Sequence, residues 1–556
     1  MSWAIKCLVL SLGWLLFSCG VSKSLHHTPQ LDGYDATAPM VTKVSGKLFS
    51  SRENFLLKNK QGLWELYVSG DPLQVGLQTG SLTDSLLKKQ ERVFFSKIEE
   101  IVPSKSKQKL LRNILKFYNR KLYLNVPEEY QTEIYGLSQY TSHEFDNIAP
   151  RYLRSLYLHG AHDIGHALQD LALVGCSSFA AWGSKSDDGK LILGRNFDFY
   201  AGDDFAKDKM VAFIRPNKGI PFMMVTWPGM IGAVSGMNNE GLTVTINAAK
   251  SKIPLVAKTP ISILTREILQ YASTTDEAIA IARKRKVFVS ESIMVGSAKD
   301  KKAILIEVSP NSFGVFEVPN SNNQLLCTNH YQSDVLKDNK RNVYQIENSH
   351  SQYRYEKLQE DFNESPKISP QIAAGILRDR EGLNGKAIGY GNERALNQLL
   401  AHHGVVFKPE QKLVWVSANP YQLGEFVCYD LNEVFDKRRE NGPIVSLQSE
   451  NLNIAKDPFL DSESYKNYEL FRIEDRKMDV FLENKKGMSA EFLQNYQHLN
   501  PNYYKVYYKP ALYFYKRKEY ALARPEFEDA LSKEITTLPE RRAIEKYLKK
   551  IKRKLQ

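Results

Sequence analysis

Few cysteines and no long apolar run mark this chain of 556 residues, and these absences exclude several classes of protein. The cysteines have neither the spacing of a disulfide framework nor that of a zinc finger. The longest apolar run near the amino terminus, residues 7–17, is shorter than the roughly 20 residues that a transmembrane helix needs. Cys327 and Cys428 lie in apolar strand-like runs and are predicted to be core residues. The five cysteines are Cys7, Cys19, Cys176, Cys327 and Cys428.

Nucleic-acid-binding motifs are absent as well, although the chain is basic. Its formal net charge is +12 at pH 7, and lysine is frequent in the last third. A basic surface can attract nucleic acid. Because there is neither a Walker phosphate-binding loop nor an RNP-like aromatic motif, we predict a generally basic surface and no nucleic-acid partner.

The amino terminus has the pattern of an export signal. Lys6 precedes the apolar run, which suits the core of a signal peptide. The segment Leu16-Phe17-Ser18-Cys19-Gly20 resembles a bacterial lipobox, so we predict a signal peptide over residues 1–18 and a lipid-bearing Cys19. The protein would then be anchored at the bacterial cell envelope, on the periplasmic or outer-membrane face. An ordinary cleaved signal or a short membrane anchor is the alternative.

A hairpin is predicted in the middle of the chain, directly after Cys176. Two strand-like runs, Ser177–Gly183 and Leu191–Phe199, flank a polar turn that contains Asp-Gly, a strong hairpin signal. The second run carries Arg195 and Asp198, whose charges would be costly to bury without partners. The hairpin brings both charges back towards Cys176, where a guanidinium favours the reactive thiolate.

These residues resemble a known family. Cys-Ser-Ser followed by Gly-Arg-Asn-Phe-Asp is similar to the opening of the cysteine N-terminal nucleophile (Ntn) hydrolases related to choloylglycine hydrolase, acyl-coenzyme A:6-aminopenicillanic acid acyltransferase and acid ceramidase-like amidases. The upstream segment SGDPLQVGLQTG, residues 69–80, also resembles an acyltransferase-family motif. The resemblance implies an α+β fold, a four-layer αββα sandwich. It further implies self-cleavage between Gly175 and Cys176, and the long segment before Cys176 favours the acyltransferase-like branch.

Three further positions match motifs of the same family. Asn247 ends the second strand of a "G-M-N-x-x-G-L" hairpin, Asn329 lies in a "T-N-H" element, and Arg354 lies in an "S-x-x-R-Y-x-x-L" helix start. The resemblance implies that the two asparagines donate hydrogen bonds to the oxyanion. It also implies that Arg354 holds the carboxylate of Asp198, which in turn orients the α-amine of Cys176.

The implied chemistry is amide cleavage without a cofactor. The α-amine of a new amino-terminal cysteine has an ordinary pKa of about 7.7 to 8.0 and can take the thiol proton. Attack on an acyl amide then gives a thioester, which water hydrolyses or another amine intercepts. We expect a linear, non-peptide carbon-nitrogen bond of a small N-acyl substrate, with a lipid amide or conjugated bile acid favoured for an enzyme held at a membrane.

The histidine-rich segment before the predicted cut raises the question of a metal. His162 and His166 are four residues apart, which is a metal-ligand spacing on a helix. The segment lacks the glutamate of an HExxH motif, and Gly160 and Gly165 weaken the helix. We therefore predict no metal and expect these residues and His159 to be buried or capping histidines.

The rest of the chain suggests several units. Tyr520–Leu531 looks like part of a tetratricopeptide repeat, but one repeat cannot bury its own apolar face. We expect it to pack on the catalytic part or on a protein partner. The predicted units are a signal peptide (1–18), a polar tether (19–60), an amino-terminal helical segment (61–175), the catalytic core (176–440), a linker (441–486) and a helical extension (487–556).

Two other functions compete with the amidase. The chain could be a catalytically silent lipoprotein scaffold that binds partners through its carboxy-terminal helices. Alternatively it could be a Cys-His peptidase, with His330 or His402 as the base and no self-cleavage. Neither alternative explains the ordered series of motif residues from Cys176 to Arg354.

Overall fold

The computed structural model describes residues 20–168, 175–199, 202–250, 256–319, 321–436, 443–484 and 487–556. These residues form a mixed α+β fold. Its strands are β1 Thr42–Ser45, β2 Leu48–Ser51, β3 Asn54–Lys58, β4 Trp64–Gly70, β5 Ser177–Ala181, β6 Ile192–Phe197, β7 Met210–Pro216, β8 Phe222–Thr226, β9 Ser235–Asn238, β10 Leu242–Ala248, β11 Glu291–Ser297, β12 Lys302–Val308, β13 Phe313–Phe316, β14 Gln324–Cys327, β15 His403–Lys408, β16 Leu413–Ser417 and β17 Phe426–Asp430.

The strands form two sheets in the described part of the chain. The larger sheet has the order β1-β2-β3-β4-β7-β8-β9-β10-β11-β12-β13, and the smaller sheet has the order β14-β5-β6-β15-β16-β17. β4 and β7 are parallel, because the helices of the amino-terminal segment and the β5–β6 hairpin intervene between them. The predicted hairpin is confirmed as the antiparallel pair β5 and β6.

Helices cover the outer faces of the sheets and form the carboxy-terminal extension. They are α1 Pro72–Leu82, α2 Asp84–Ile101, α3 Lys105–Tyr118, α4 Glu128–Ser138, α5 Arg151–Leu168, α6 Asp203–Lys207, α7 Ile261–Tyr271, α8 Thr275–Lys284, α9 Lys340–Asn348, α10 Ser351–Glu364, α11 Pro370–Leu377, α12 Glu463–Asn484, α13 Ala490–Leu499, α14 Lys505–Lys516, α15 Tyr520–Ser532 and α16 Leu538–Leu555. No helix among the described residues is both long and apolar enough to cross a bilayer.

Separate apolar cores define the layers of the predicted sandwich. One core joins the larger sheet to the amino-terminal helices and α7, and it includes Ile246, Leu264 and Ile134. A second core lies between the two sheets and contains Phe213 and Val405. A third joins the smaller sheet to α10 and α11. The order is helix, sheet, sheet, helix, so the predicted αββα class is confirmed.

Glycines allow the closest helix contact in the amino-terminal segment. A Cβ atom on Gly76 of α1 would lie 2.0 Å from the backbone oxygen of Glu133 in α4. A Cβ on Gly136 of α4 would lie 2.7 Å from the backbone oxygen of Leu73. The two helix backbones are therefore in direct contact. This contact supplies a physical reason for Gly76, the second of the three glycines in residues 69–80.

The structure differs from the sequence prediction at the tether. Residues 42–58, expected to be a polar tether, form β1 to β3 at one edge of the larger sheet. His27, still nearer the amino terminus, stacks on Tyr123 at 4.1 Å between ring centroids. Short polar strands escaped prediction because their pairing with β4, rather than their own hydrophobicity, stabilises them. The predicted lipid-bearing Cys19 and the signal peptide lie outside the described residues.

The carboxy-terminal part also differs from the prediction. α12 occupies Glu463–Asn484, inside the predicted linker of residues 441–486. The helices α12 to α16 share an apolar core that includes Leu399 and Leu423 of the catalytic part. Lys505 pairs with Glu393 at 2.7 Å across the same boundary. The extension therefore packs on the catalytic part, which was one of the two arrangements expected from the sequence.

We predict that Gly76→Ala destabilises the fold by about 1–3 kcal/mol, because the added methyl group overlaps the backbone of α4. Gly375→Ala is the matched control, since that helical glycine has nothing within 4 Å of a built Cβ atom. This control should be neutral or stabilising by up to about 1 kcal/mol, from helix propensity. Urea unfolding of both variants checks the prediction. Equal destabilisation of the two variants would contradict it.

Candidate active site

The register of the β5–β6 hairpin brings Arg195 to Cys176. Ser178 pairs with Arg195 and Ser177 pairs with Asn196, so Cys176 lies directly before the first paired residue of β5. The Arg195 guanidinium donates to Cys176 Sγ at 3.6 Å. The contact predicted between these two side chains from the hairpin is thus present. Both side chains are buried, with relative exposures of 1% for Cys176 and 0% for Arg195.

The environment of the thiol contains opposing influences on its ionisation. Burial raises the pKa of the Cys176 thiol, because the thiolate is poorly solvated there. The Arg195 guanidinium and a hydrogen bond with the backbone of Asp198 lower that pKa, but by less than burial raises it. In this uncut chain the thiol is therefore favoured over the thiolate, and a base is required to activate it.

A polar chain that the sequence did not predict holds the Arg195 guanidinium. Arg195 donates to Ser235 Oγ at 2.6 Å and to the backbone oxygen of Ile246 at 2.5 Å. Ser235 Oγ also lies 2.9 Å from His403 Nε2, and His403 Nδ1 lies 2.9 Å from His402 Nδ1. Ser235 comes from the larger sheet and the histidines from the smaller one. No short motif links them, so sequence reasoning missed this set.

Arg354 contacts the peptide bond at which cleavage was predicted. Its Nη1 donates to the backbone oxygens of Gly175 at 3.0 Å and Cys176 at 2.7 Å. Nη1 also donates to Ser177 Oγ at 2.8 Å. Burial lowers the pKa of Arg354 to about 10, which still leaves the guanidinium charged near neutrality. The predicted direct hold of Arg354 on the Asp198 carboxylate is replaced by these backbone contacts.

The two asparagines reach the site, but their amide groups are engaged. Asn247 Oδ1 accepts from Ser178 Oγ at 2.7 Å, and its Nδ2 donates to the backbone oxygen of Cys327 at 3.4 Å. Asn329 Oδ1 accepts from Arg354 Nη2 at 2.5 Å, and its Nδ2 donates to the backbone oxygen of Ala248 at 2.8 Å. The long Asn247 bond is the weaker of the two donor contacts. The predicted role of both in the oxyanion hole stays a prediction.

Gln398 is a second group missed by sequence reasoning. Its Nε2 donates to the Gly175 backbone oxygen at 3.2 Å, so this oxygen accepts from both Gln398 and Arg354. A Cβ atom on Gly175 would lie 1.9 Å from Gln398 Nε2. Only glycine leaves room for the amide at this distance. A glutamine in a loop carries no recognisable signal in a single sequence.

Asp198 is a buried carboxylate without a hydrogen-bond partner for either oxygen among the described residues. Burial raises its pKa to about 7, while the charges of Arg354 and Arg195 lower it. An unpartnered buried carboxylate is costly, so such a group commonly awaits a cation or a donor. The α-amine that a cut before Cys176 would create is a group of this kind.

The two histidines considered as alternative bases, His330 and His402, contact groups other than Cys176. His330 Nδ1 lies 2.9 Å from Ser351 Oγ, and His402 contacts His403. His159 Nδ1 lies 2.8 Å from the backbone oxygen of Ser155, which agrees with a buried structural histidine. The side chains of His162 and His166 are outside the described residues. Within the described part of the chain, no group of three potential metal ligands occurs.

Comparison with known families supports the resemblance. Residues 184–416 match the family described as acyl-coenzyme A:6-aminopenicillanic acid acyl-transferase. This part of the chain is thus similar to that family, in agreement with the resemblance found in the motifs. This match supports a hydrolase or transferase that acts on amides.

The relatives are distant. An uncharacterized protein from Archaeoglobus fulgidus is 24% identical over 274 residues, which are 46% of this chain and 45% of that protein. The match thus spans less than half the length of this relative. A solved N-acylethanolamine-hydrolyzing acid amidase orthologue from Caenorhabditis elegans is 18% identical, with 42% of this chain and 93% of that chain covered and a TM-score of 0.31. A conjugated bile acid hydrolase mutant from Clostridium perfringens is 15% identical, with 49% and 95% covered and a TM-score of 0.33.

We predict that Asp198→Asn removes a pH dependence from the stability of the uncut chain. The folded pKa of Asp198, about 7, lies above its ordinary value of 3.8. Its contribution to stability is therefore complete below about pH 4 and is lost as the pH rises through about 7. Asparagine cannot ionise, so the variant should gain stability relative to its parent as the pH rises from about 5 to about 7, and the difference should level off above that.

Urea unfolding in a Cys176→Ala background, which keeps the chain uncut, measures this difference. Asp188→Asn is the control, because the pKa of Asp188 is lowered to about 2 and that group does not titrate in the same window. The Asp198 variant should differ from its parent increasingly with pH, and the Asp188 variant by a constant amount. A constant difference for both variants would contradict a raised pKa at Asp198.

Proposed function

We propose that this protein is a self-processing cysteine amidase that cuts the Gly175–Cys176 bond and then cleaves the linear, non-peptide amide bond of an N-acyl substrate. The observation that carries the proposal is the pair of buried groups around Cys176. Arg195 Nη2 lies 3.6 Å from the thiol, and the Asp198 carboxylate has no hydrogen-bond partner among the described residues. A thiol beside a guanidinium and within the electrostatic influence of an unpartnered carboxylate suits a nucleophile that later carries a free α-amine.

Self-cleavage follows from the contacts of the Gly175 carbonyl. Cys176 Sγ attacks the carbonyl carbon of Gly175, and the electron pair of the double bond moves to the oxygen, where Arg354 Nη1 donates at 3.0 Å. Collapse breaks the carbon-nitrogen bond, and the nitrogen of Cys176 takes the thiol proton. The resulting thioester reacts with water to give the Gly175 carboxylate and a free Cys176 thiol with its own α-amine.

Turnover uses the same thiol with its new amine as base. The α-amine would pair with Asp198, and the amine takes the proton of the thiol as Sγ attacks the acyl carbonyl of the substrate. The substrate amine leaves with that proton, and an acyl thioester remains on Cys176. Water then releases a carboxylic acid, or a second amine takes the acyl group. Asn247 and Asn329 are the proposed oxyanion donors in this step.

An apolar acyl group suits the surroundings of the thiol. The Arg195 guanidinium lies over the ring of Phe197, 4.3 Å from its centroid. Phe197 and Phe199 stack at 5.7 Å, and Phe199 stacks on Trp227 at 6.4 Å. This aromatic wall favours a lipid amide or a conjugated bile acid over a polar substrate. We further propose that the enzyme is held at the bacterial cell envelope through Cys19.

We predict that the purified protein consists of two fragments, the larger one beginning at Cys176, and that Cys176→Ala gives one uncut chain without amidase activity. The reason is that the variant lacks both the attacking thiol and the thioester. Intact mass and amino-terminal sequencing check the cut, and release of fatty acid from N-acyl amides checks the activity.

Cys428→Ala is the matched control, because Cys428 is a buried free thiol in β17, at the far edge of the same sheet. It should cut itself and hydrolyse amides like the parent. An uncut parent chain would remove the α-amine from the mechanism and would favour the scaffold or the Cys-His peptidase. A Cys176→Ala variant that still cuts itself would exclude Cys176 as the nucleophile.

A further inference from the structure

Helix α3 exposes apolar side chains that other surface helices would bury. Leu110 and Ile114 are four residues apart on one face and have relative exposures of 61% and 53%. Leu124, in the turn after the helix, has an exposure of 65%. Gln108 is the one residue of this fully described helix that is buried. The helix is therefore amphipathic, but its apolar face contacts little of the described protein.

The same segment is strongly basic. Between Ile101 and Pro127 the sequence contains no acidic residue. Lys105 pairs with Glu99 of α2 at 2.9 Å. The other basic side chains of the helix form no ion pair with a described residue. They are Lys107, Lys109, Arg112 and Lys116. A helix with an exposed apolar face and flanking cations has the composition of helices that lie in the surface of an anionic bilayer.

The amino-terminal end of the described chain lies at this helix. A Cβ atom on Gly20 would lie 3.5 Å from Arg120 Cδ, two residues after the end of α3. Residues 1–19, with the predicted lipid-bearing Cys19, join the protein at that point. A membrane that holds the amino terminus would thus be next to the basic helix.

We propose that α3 and Leu124 form a docking surface for an anionic phospholipid membrane. The apolar side chains Leu110, Ile114 and Leu124 would enter the acyl boundary, while the lysines and Arg112 would contact lipid phosphates. This surface is separate from the chemistry of Cys176 and does not depend on the proposed amidase activity. It would hold the enzyme against the layer in which amphiphilic substrates are dissolved.

The lysine-rich helix α16 is the obvious competitor, and its structure argues against it. Ile544 and Ile551, on its apolar side, are buried in the carboxy-terminal core. Its cations, such as Lys549 and Lys550, therefore belong to a solvated face on which Leu555, at the end of the helix, is the one exposed large apolar side chain. Charge alone gives about 1 kcal/mol per residue near the bilayer and is lost with salt.

Hydrogen exchange of the full chain tests the proposal locally. We expect amides of residues 105–124 to exchange at least about threefold more slowly with phosphatidylglycerol vesicles than with phosphatidylcholine vesicles or without lipid. Lys107→Glu/Lys109→Glu/Arg112→Glu should abolish this protection, and Leu110→Ser/Ile114→Ser should reduce it. Lys549→Glu/Lys550→Glu/Arg553→Glu in α16 is the matched control and should leave the protection unchanged.

Several outcomes would overturn the proposal. Equal protection by both lipids would contradict the requirement for an anionic membrane. Loss of protection in the α16 variant would show that α16 is the docking helix. Protection without vesicles that disappears on deletion of residues 1–18 would make the amino-terminal apolar run the occupant of this face. Unchanged exchange under all conditions would exclude docking through α3.

A second observation, the contact of Gln398 with Gly175, carries an inference that rests on the proposed self-cleavage. We infer that Gln398 is a catalytic residue of that step, because its Nε2 donates to the reacting carbonyl oxygen in addition to Arg354 Nη1. As negative charge develops on this oxygen, a neutral amide donor and a guanidinium together stabilise it. The 1.9 Å approach of a Gly175 Cβ to Nε2 explains why glycine precedes the cut.

The rate of self-cleavage of freshly made chain tests this role. Gln398→Ala and the size-conserving Gln398→Met should cut at least about tenfold more slowly than the parent. Gln422→Ala is the matched control, because Gln422 is a buried glutamine whose amide has no partner among the described residues. It should cut at the parent rate.

A double variant distinguishes a hydrogen-bonding role of Gln398 from a purely steric one. Gly175→Ala should cut slowly, and Gly175→Ala/Gln398→Ala should remain slow if the amide is needed as a donor. Parent-like cutting of the double variant, or of both Gln398 variants, would overturn the inference while the proposed function stands. An uncut parent chain would instead remove the proposed self-cleavage, and this inference with it.

Discussion

The burial of charge between the two sheets is the constraint on which the site depends. Arg195 and Arg354 are both fully buried, and burying a guanidinium is costly unless most of its N–H groups find acceptors. Arg195 finds them in Ser235 and the Ile246 backbone, which belong to the opposite sheet. Arg354 finds them in the backbone around residue 176. The hydrogen bonds of the two arginines therefore connect the two sheets and α10 at the position of the thiol.

The electrostatics of the site are those of the continuous chain, in which Gly175 and Cys176 are joined. Burial raises the pKa of Cys176 and that of Asp198, so the neutral forms of both are favoured while no amine is present. A new α-amine would supply a cation for Asp198 and a base for the thiol in one step. The Gly175 carbonyl, in contrast, already has two donors. The uncut arrangement thus suits cleavage of the chain itself, and the cut would convert it to an arrangement suited to an external amide.

The amino-terminal segment has several structural tasks. α1 and α4 pack backbone to backbone through glycines, and their apolar faces cover the larger sheet. α3 contributes little to this core and leaves Leu110 and Ile114 exposed. At the other end of the chain, α12 to α16 form a core of their own that includes Leu399 of the catalytic part. The segments on both sides of the matched residues 184–416 thus add strands to the larger sheet and helices around the two-sheet centre.

The sequence by itself determined the hairpin after Cys176, a mixed α and β fold and most strands between residues 177 and 430, because local alternation and turn chemistry specify these elements. The αββα class was implied only by the family resemblance. The sequence also identified Cys176, Arg195, Asp198, Asn247, Asn329 and Arg354 through motifs that lie within single elements. Only the tertiary structure decided that Arg354 binds the Gly175 carbonyl, and that Ser235, His403 and Gln398 join the site. These residues come from elements far apart in the chain, and their contacts arise from the packing of two sheets. The edge strands β1 to β3 and helix α12 were missed for the same reason, since pairing and packing with distant residues stabilise them.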